Sequence, residues 1–385
     1  MRVLILHSRY LSGPVSGENR VVEDESRLLL DAGHDVLVWE PEPHLSGFSD
    51  RLRAGTSTVW SASAAARVRR MIRRKGIEVV HVHNLFPMLS PAVLRAAREE
   101  GAATLLTLHN YRLMCLPANL LRDGEVCEAC VGHLPLRGVG HRCYRGSALG
   151  SGALAASLGV HRVLGTFSAV TRFLAVSEFV RRKHIEAGIP AGRIWVKPNF
   201  TWPIPARQGP GDHFLFVGRL AGEKGVDTLL RAWSAYGGPT PLVVVGEGPE
   251  GDRLRRSAPA GVEFRGEVPA TEVAAALTGA RALLVSSRWY EAAPRTIIEA
   301  YAAGVPVVAS RFGALPELVR ENVSGYLVPL GDAAGWADRI CALEDDTTSE
   351  RLGEGARTLW AERYSPERGL DGLEQAYRKA MAVRG

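Results

Sequence analysis

The sequence predicts an α/β protein built from two doubly wound units in series. Three observations predict it. Short runs rich in Val, Ile and Leu recur along the 385 residues, separated by segments of helical pattern, as in parallel sheets covered on both faces. A chain of this length exceeds one ordinary core and suits two domains. A stretch carrying Pro198, Pro203, Pro205, Gly209, Pro210 and Gly211 divides the runs into two series.

The first series of expected strands is Val3–Leu6, Val36–Trp39, Val79–Val82, Thr104–Leu108 and Phe173–Val176. The second is His213–Val217, Leu242–Val245, Val262–Phe264, Ala282–Val285 and Val307–Ala309. The expected domains are residues 1–200, with a cysteine-bearing insertion over about 112–147, and residues 201–364. A last helix over 365–385, with Ser365 as N-cap and Pro366 in the first turn, is expected to pack back on the first domain.

Composition narrows the class. Hydrophobic residues make up 46% and charged residues 23%, a globular balance. No apolar run approaches the ~20 residues that cross a bilayer. Met1-Arg-Val-Leu-Ile-Leu-His7 is too short for a signal peptide and reads as a first strand, so a cytoplasmic location is expected. The net charge of +6 is uneven: residues 1–200 hold 26 Lys and Arg against 17 Asp and Glu, the remainder 21 against 24. The basic half suits an anionic acceptor or a membrane surface. Nucleic acid is not an expected partner, since no helix-turn-helix, zinc-finger or RNA-binding pattern occurs.

Three segments of the second half carry chemistry. Val217-Gly-Arg-Leu-Ala-Gly-Glu-Lys-Gly225 follows an apolar strand and sets Arg219 and Lys224 on one loop, two cations for a diphosphate; alone it reads equally as a surface turn. Trp289-Tyr-Glu-Ala-Ala-Pro-Arg-Thr-Ile-Ile-Glu-Ala300 places Glu291 in a loop, Pro294 in a first helical turn and Glu299 about a turn inside. A helix N-terminus favours phosphate, with Thr296 a further donor, while the two carboxylates suit sugar hydroxyls; alone they read as capping or surface glutamates. Ala303-Gly-Val-Pro-Val-Val-Ala-Ser310, then Gly313-Ala-Leu-Pro-Glu317, reads as a helix end, a strand and a glycine loop at the strand edge where open α/β sheets bind ligands.

In this order and spacing the three segments resemble the C-terminal domain of family-four glycosyltransferases of the GT-B type; Val245-Gly-Glu-Gly-Pro249 and Phe264-Arg-Gly-Glu-Val268 do too. The resemblance covers most of residues 213–330. It implies two Rossmann-like doubly wound domains facing each other across a cleft, and a retaining hexosyltransferase that uses a nucleotide diphosphate-sugar. A UDP-sugar such as UDP-GlcNAc or UDP-glucose is the first expectation, GDP-mannose the second. Arg219 and Lys224 should bind the pyrophosphate, Glu291 the transferred sugar and Glu299 the ribose. The amides of Ala293, Pro294's neighbour Arg295 and Thr296 should face the donor, with Gly266–Val268 at the base. Ala292-Ala293-Pro294 departs from the family's commoner Gly-Phe-Gly. In the first half, Gly13-Pro-Val-Ser-Gly-Glu-Asn-Arg20 resembles the family's glycine loop, with Gly17 its best candidate. His109, ending Thr107-Leu-His109, resembles the acceptor-side histidine; a lone histidine otherwise reads as structural.

The implied chemistry is charge stabilisation. Arg219, Lys224 and the helix N-terminus would hold the negative charge growing on the leaving diphosphate, whose oxygen takes the acceptor's proton while His109 orients the reactants. No Asp-x-Asp pair offers a catalytic metal site, so no catalytic cofactor is expected. Cys115, Cys127, Cys130 and Cys143 form C-x11-C-x2-C-x12-C, a pattern for structural Zn²⁺, with His133 and His141 in reserve; ordinary reduced cysteines are the alternative. The basic stretch Ala64–Lys75, with Val68, Met71 and Ile72 on one side, reads as a solvated helix face or a peripheral membrane contact. The acceptor class, whether small molecule, glycan or lipid-linked, stays open. A nucleotide-sugar epimerase of similar shape and a non-catalytic binding scaffold are the competing readings.

Overall fold

The computed structural model describes residues 1–9, 17–41 and 56–383. The chain separates into two compact units, one of Met1–Arg122, Cys127–Pro198 and Gly369–Gly385, the other of Asn199–Arg368 with Asp123–Val126.

The first unit holds strands β1 (Arg2–His7), β2 (Asp35–Trp39), β3 (Val79–Asn84) and β4 (Ala103–Leu108). The two-residue strands β5 (Leu121–Arg122) and β6 (Glu125–Val126) lie outside its sheet, which continues with β7 (Arg172–Ala175) and β8 (Ile194–Val196). The order is β2-β1-β3-β4-β7-β8, parallel throughout. Every residue of β3 and β4 is buried, as central strands between two helical layers require.

The second unit holds β9 (His213–Val217), β10 (Leu242–Val245), β11 (Val262–Gly266), β12 (Ala280–Val285), β13 (Val307–Ser310) and β14 (Gly325–Val328). Its order is β11-β10-β9-β12-β13-β14, again parallel. Alternate residues build two cores, one on each face. Leu215, Val243, Leu283 and Val307 join the helix residues Ile297, Tyr301 and Trp360 on one side. Phe214, Phe216, Val244, Leu284 and Val308 join Leu229, Trp233 and Trp336 on the other.

β8 and β14 have no counterpart among the expected strands. The strand expected at Phe173–Val176 runs one residue earlier. Pro294 precedes the helix Arg295–Ala302 instead of opening its first turn. The last helix runs Pro366–Ala382.

The basic stretch is the helix Ala62–Lys75, capped by Ser61 and closed by Gly76. Its Val68 and Ile72 are buried, and its Arg69 and Arg73 pair with Glu99 and Glu100. These two apolar side chains therefore face the protein and are not available to lipid. No helix among the described residues is long and apolar enough to cross a membrane.

Candidate functional site

In the second unit β9 and β12 are neighbours, and the chain leaves them in opposite directions, β9 towards β10 and β12 towards β13. Their carboxyl ends therefore form the switch point at which doubly wound sheets bind ligands. Both cation loop and glutamate loop start there, directly after β9 and β12.

Glycine lets the first loop close on the second. Gly225 adopts φ +67°, and a Cβ there would lie 2.2 Å from the Ser286 carbonyl oxygen. Gly246 adopts φ +132°, and its Cβ would lie 2.0 Å from the Gly218 oxygen. Neither site admits a side chain. The two loops are then stitched together: Ser286 Oγ donates to the Lys224 carbonyl at 2.8 Å, and the Arg288 N–H to the Glu223 carbonyl at 2.8 Å.

The result is a pair. Lys224 Nζ donates to Glu291 Oε1 at 2.6 Å, and Ser287 Oγ donates to the same oxygen at 2.6 Å. Lys224 Nζ also sits 5.1 Å from the Trp289 ring centroid, a cation–π distance. Glu291 is buried. Burial pushes its carboxyl up, but the Lys224 charge and the bonds from Lys224 and Ser287 outweigh it, and the net displacement is downward. The carboxylate is therefore ionised at neutral pH.

Around this pair lie the other expected residues. Arg219, on the same loop as Lys224, is exposed and has no ion pair among the described residues. The helix Arg295–Ala302 starts without a side-chain cap, and a helix N-terminus favours an anionic ligand. Ala293, Pro294, Arg295 and Thr296 are half-buried at that end. Glu299 lies one turn in, with Arg295 Nε 3.5 Å from its Oε1. Val268 leaves β11 and packs on the apolar cluster that contains Ile297.

The first unit presents a second arrangement. His109 follows β4, and its Nε2 lies 2.9 Å from His83 Nδ1, the rings stacked at 5.2 Å. Both line a cavity of about 330 Å³ with Asn84, Asn110 and Arg112. Gly17 opens the helix Gly17–Asp31. Its neighbour Glu18 accepts a 2.6 Å bond from Asn110, the residue after His109. Gly13 to Ser16, the rest of that loop motif, lie outside the described residues.

Behind His83 is a buried network that the sequence reading missed. His83 Nε2 faces Glu25 Oε2 at 3.6 Å, and Glu25 Oε1 is hydrogen-bonded and ion-paired to Lys197. His81 bonds Tyr377 at 2.9 Å and Thr107 at 2.7 Å. The available signal was the His-x-His alternation in β3, which places His81 and His83 on one face. Glu25, His81 and His83 bring three ligand atoms within 4.8 Å of one another. Both His81 nitrogens are engaged, however, and an ammonium occupies Glu25, which makes this a hydrogen-bonded charge network and not a metal site. Ser287 and Trp289 were likewise not singled out; only the folded loop brings them to Glu291 and Lys224.

The four cysteines, none in a disulfide, line one open cavity of about 370 Å³ with Arg122, Arg137 and His141. Cys115 is buried and the other three half-buried. No three of their sulfurs lie within 4.8 Å of one another.

Burial sets an acid limit on the first unit. Burial lowers His7, and lowers His81 and His83 well below the ordinary histidine range; it lowers His184 to about 4. Unfolded, each protonates near ~6.5. The unfolded chain thus binds more protons below that value, and stability falls as pH drops from about 6.5 towards the folded-state values. His184 alone corresponds to ~2 kcal/mol lost between pH 7 and pH 5. Urea midpoints at the two pH values measure it, and equal midpoints would contradict it.

Two family descriptions match the chain: Glycosyltransferase Family 4 over residues 15–201 and Glycosyl transferases group 1 over residues 211–346. A D-inositol 3-phosphate glycosyltransferase of Saccharomonospora viridis is 34% identical over 187 residues, 44% of this chain and 43% of that protein. A phosphatidyl-myo-inositol mannosyltransferase of Mycobacterium leprae is 34% identical over 204 residues, 48% of this chain and 54% of that one. The chain thus covers about half the length of these curated relatives. The crystal structure of Anabaena Alr3699/HepE in complex with UDP is similar at a TM-score of 0.65 and 17% identity, covering 98% of this chain and 99% of that one. Sucrose-phosphate synthase from Thermosynechococcus elongatus is similar at a TM-score of 0.68 and 17% identity, with both chains covered in full at 100%. With the two parallel six-stranded sheets, these likenesses make the fold class GT-B.

Proposed function

Because the chain belongs to the family-four glycosyltransferases, we propose that it is a retaining hexosyltransferase that moves a sugar from a nucleotide diphosphate-sugar to an acceptor hydroxyl. One observation carries the reading: the Lys224–Glu291 pair stands at the switch point of the second sheet, beside the uncapped helix start and on the same loop as the exposed Arg219. A UDP-sugar, UDP-glucose or UDP-GlcNAc, is the first donor and GDP-mannose the second. The UDP bound in Anabaena HepE supports the former, and the mannosyltransferase among the relatives supports mannose as the sugar of the latter.

Each group has a task in this reading. Arg219, Lys224 and the amides of Ala293, Arg295 and Thr296 hold the diphosphate and stabilise the charge that grows on it as the glycosidic bond breaks. Glu291 takes Lys224 and Ser287 on Oε1 and offers Oε2 to a hydroxyl of the transferred sugar. Glu299 receives the ribose hydroxyls and Val268 borders the base. On the acceptor side, His109 orients the incoming hydroxyl. His83 fixes the His109 ring by the 2.9 Å bond, and the departing phosphate oxygen accepts the acceptor's proton.

Thermal unfolding with UDP-, GDP-, ADP- and dTDP-sugars tests the donor site. One nucleotide should stabilise the protein by ~2.7 kcal/mol at 100 times its dissociation constant and by ~4 kcal/mol at 1,000 times. Arg219→Ala should weaken that shift. Folded protein that no nucleotide stabilises would remove the donor assignment.

A further inference from the structure

We propose that Cys115, Cys127, Cys130 and Cys143 bind one structural Zn²⁺ that holds together the segment following His109. The starting observation is a segment without a core. From Leu121 to Ala153, only Pro135, Gly138 and Ser151 are buried; Leu134, Leu136 and Leu149 are exposed. Some thirty residues that bury almost no apolar side chain cannot hold one conformation by the hydrophobic effect. Yet their turns are defined, and the four cysteines face one cavity.

The backbone fixes each approach. The Cys115 N–H donates to the Tyr111 carbonyl at 2.8 Å, that of Cys127 to Leu120 at 2.8 Å, and that of Cys143 to Gly138 at 2.9 Å. The Cys130 carbonyl accepts from His133 at 3.2 Å. The loop after Cys115 turns its Asn119 and Leu120 amides towards the Cys115 sulfur, and its Ala118 N–H donates to the Cys115 carbonyl at 3.0 Å. Ala118 and Leu120 adopt φ +69° and +50°, a left-handed conformation unfavourable to residues other than glycine.

The charge around the cavity agrees. Arg122 and Arg137 line it, and no carboxylate does. Four thiolates and Zn²⁺ carry a net charge of about −2, which two guanidiniums and the amides offset. The sulfurs stand around the cavity more widely than in a tetrahedron. Binding therefore requires the cysteine side chains to turn about χ1 towards one another. On binding, the thiol protons leave to solvent. This site is independent of the donor reading, because none of its residues belongs to the second unit.

The test uses the full chain, purified without chelator from zinc-supplemented medium. Elemental analysis should find about one zinc per chain. Exchange with Co²⁺ should give thiolate-to-cobalt charge-transfer bands and the intense visible absorption of a tetrahedral site. Cys127→Ser and Cys130→Ser should lose the metal, and trypsin should cut after Arg122, Arg137 or Arg142 about tenfold faster. Cys341→Ser should retain the metal. If the serine variants do not fold, the wild-type stoichiometry and cobalt spectrum decide. Wild-type protein with neither zinc nor the cobalt bands overturns the proposal, and so does a mass that shows two disulfides among these cysteines.

Discussion

Glu291→Gln should lower sugar transfer by ~10²–10³-fold, and Lys224→Ala by a similar factor, because each removes a charged contact made to the reacting donor. The two variants should differ in stability. Lys224→Ala leaves the buried Glu291 carboxylate with Ser287 as its remaining short partner, and an uncompensated buried charge is costly. Glu291→Gln leaves Lys224, whose side chain is 22% exposed, able to turn to water. Urea unfolding should therefore place Lys224→Ala below Glu291→Gln, and the double variant should regain stability but not activity. Product formation by mass spectrometry, with donor and acceptor varied separately, supplies the other half. Full activity in either single variant would remove the pair from the mechanism.

The second large effect lies in the first unit. Lys197→Met should destabilise the protein by ~3–5 kcal/mol, the usual consequence of stranding one member of a buried ion pair. Glu25 is 0% and Lys197 5% exposed, so water cannot replace the lost ammonium. Two ring nitrogens remain beside Glu25, His83 Nε2 at 3.6 Å and His81 Nδ1 at 3.8 Å, both on imidazoles that burial keeps neutral. Adding Glu25→Gln should recover much of the loss, since an amide needs no counter-charge. Urea midpoints for the two single variants and the double variant complete the cycle. A loss below ~1 kcal/mol in Lys197→Met would show that the carboxylate finds water.

Much of this protein is legible one segment at a time. Runs such as Leu242–Val245 and Val307–Ala309 announce buried parallel strands because both faces of the sheet must be apolar. The glycines at 225 and 246 mark places where the backbone turns or approaches another chain segment too closely for a side chain. The residues of the second-unit site are named from the family that their segments resemble; by pattern alone Glu291 and Glu299 read as capping or surface glutamates.

Partnership was not legible in this way. The sequence set Lys224 beside Arg219 as two similar phosphate cations. The fold gives them different surroundings, tying Lys224 to a glutamate 67 residues away and leaving Arg219 exposed. Glu25 and Lys197 lie 172 residues apart and neither has a local pattern to mark it. Periodicity and propensity act over a few residues and determine which segments become strands and helices. Which charges are desolvated together depends on which strand ends the closed sheet brings side by side, and only the tertiary structure decides that.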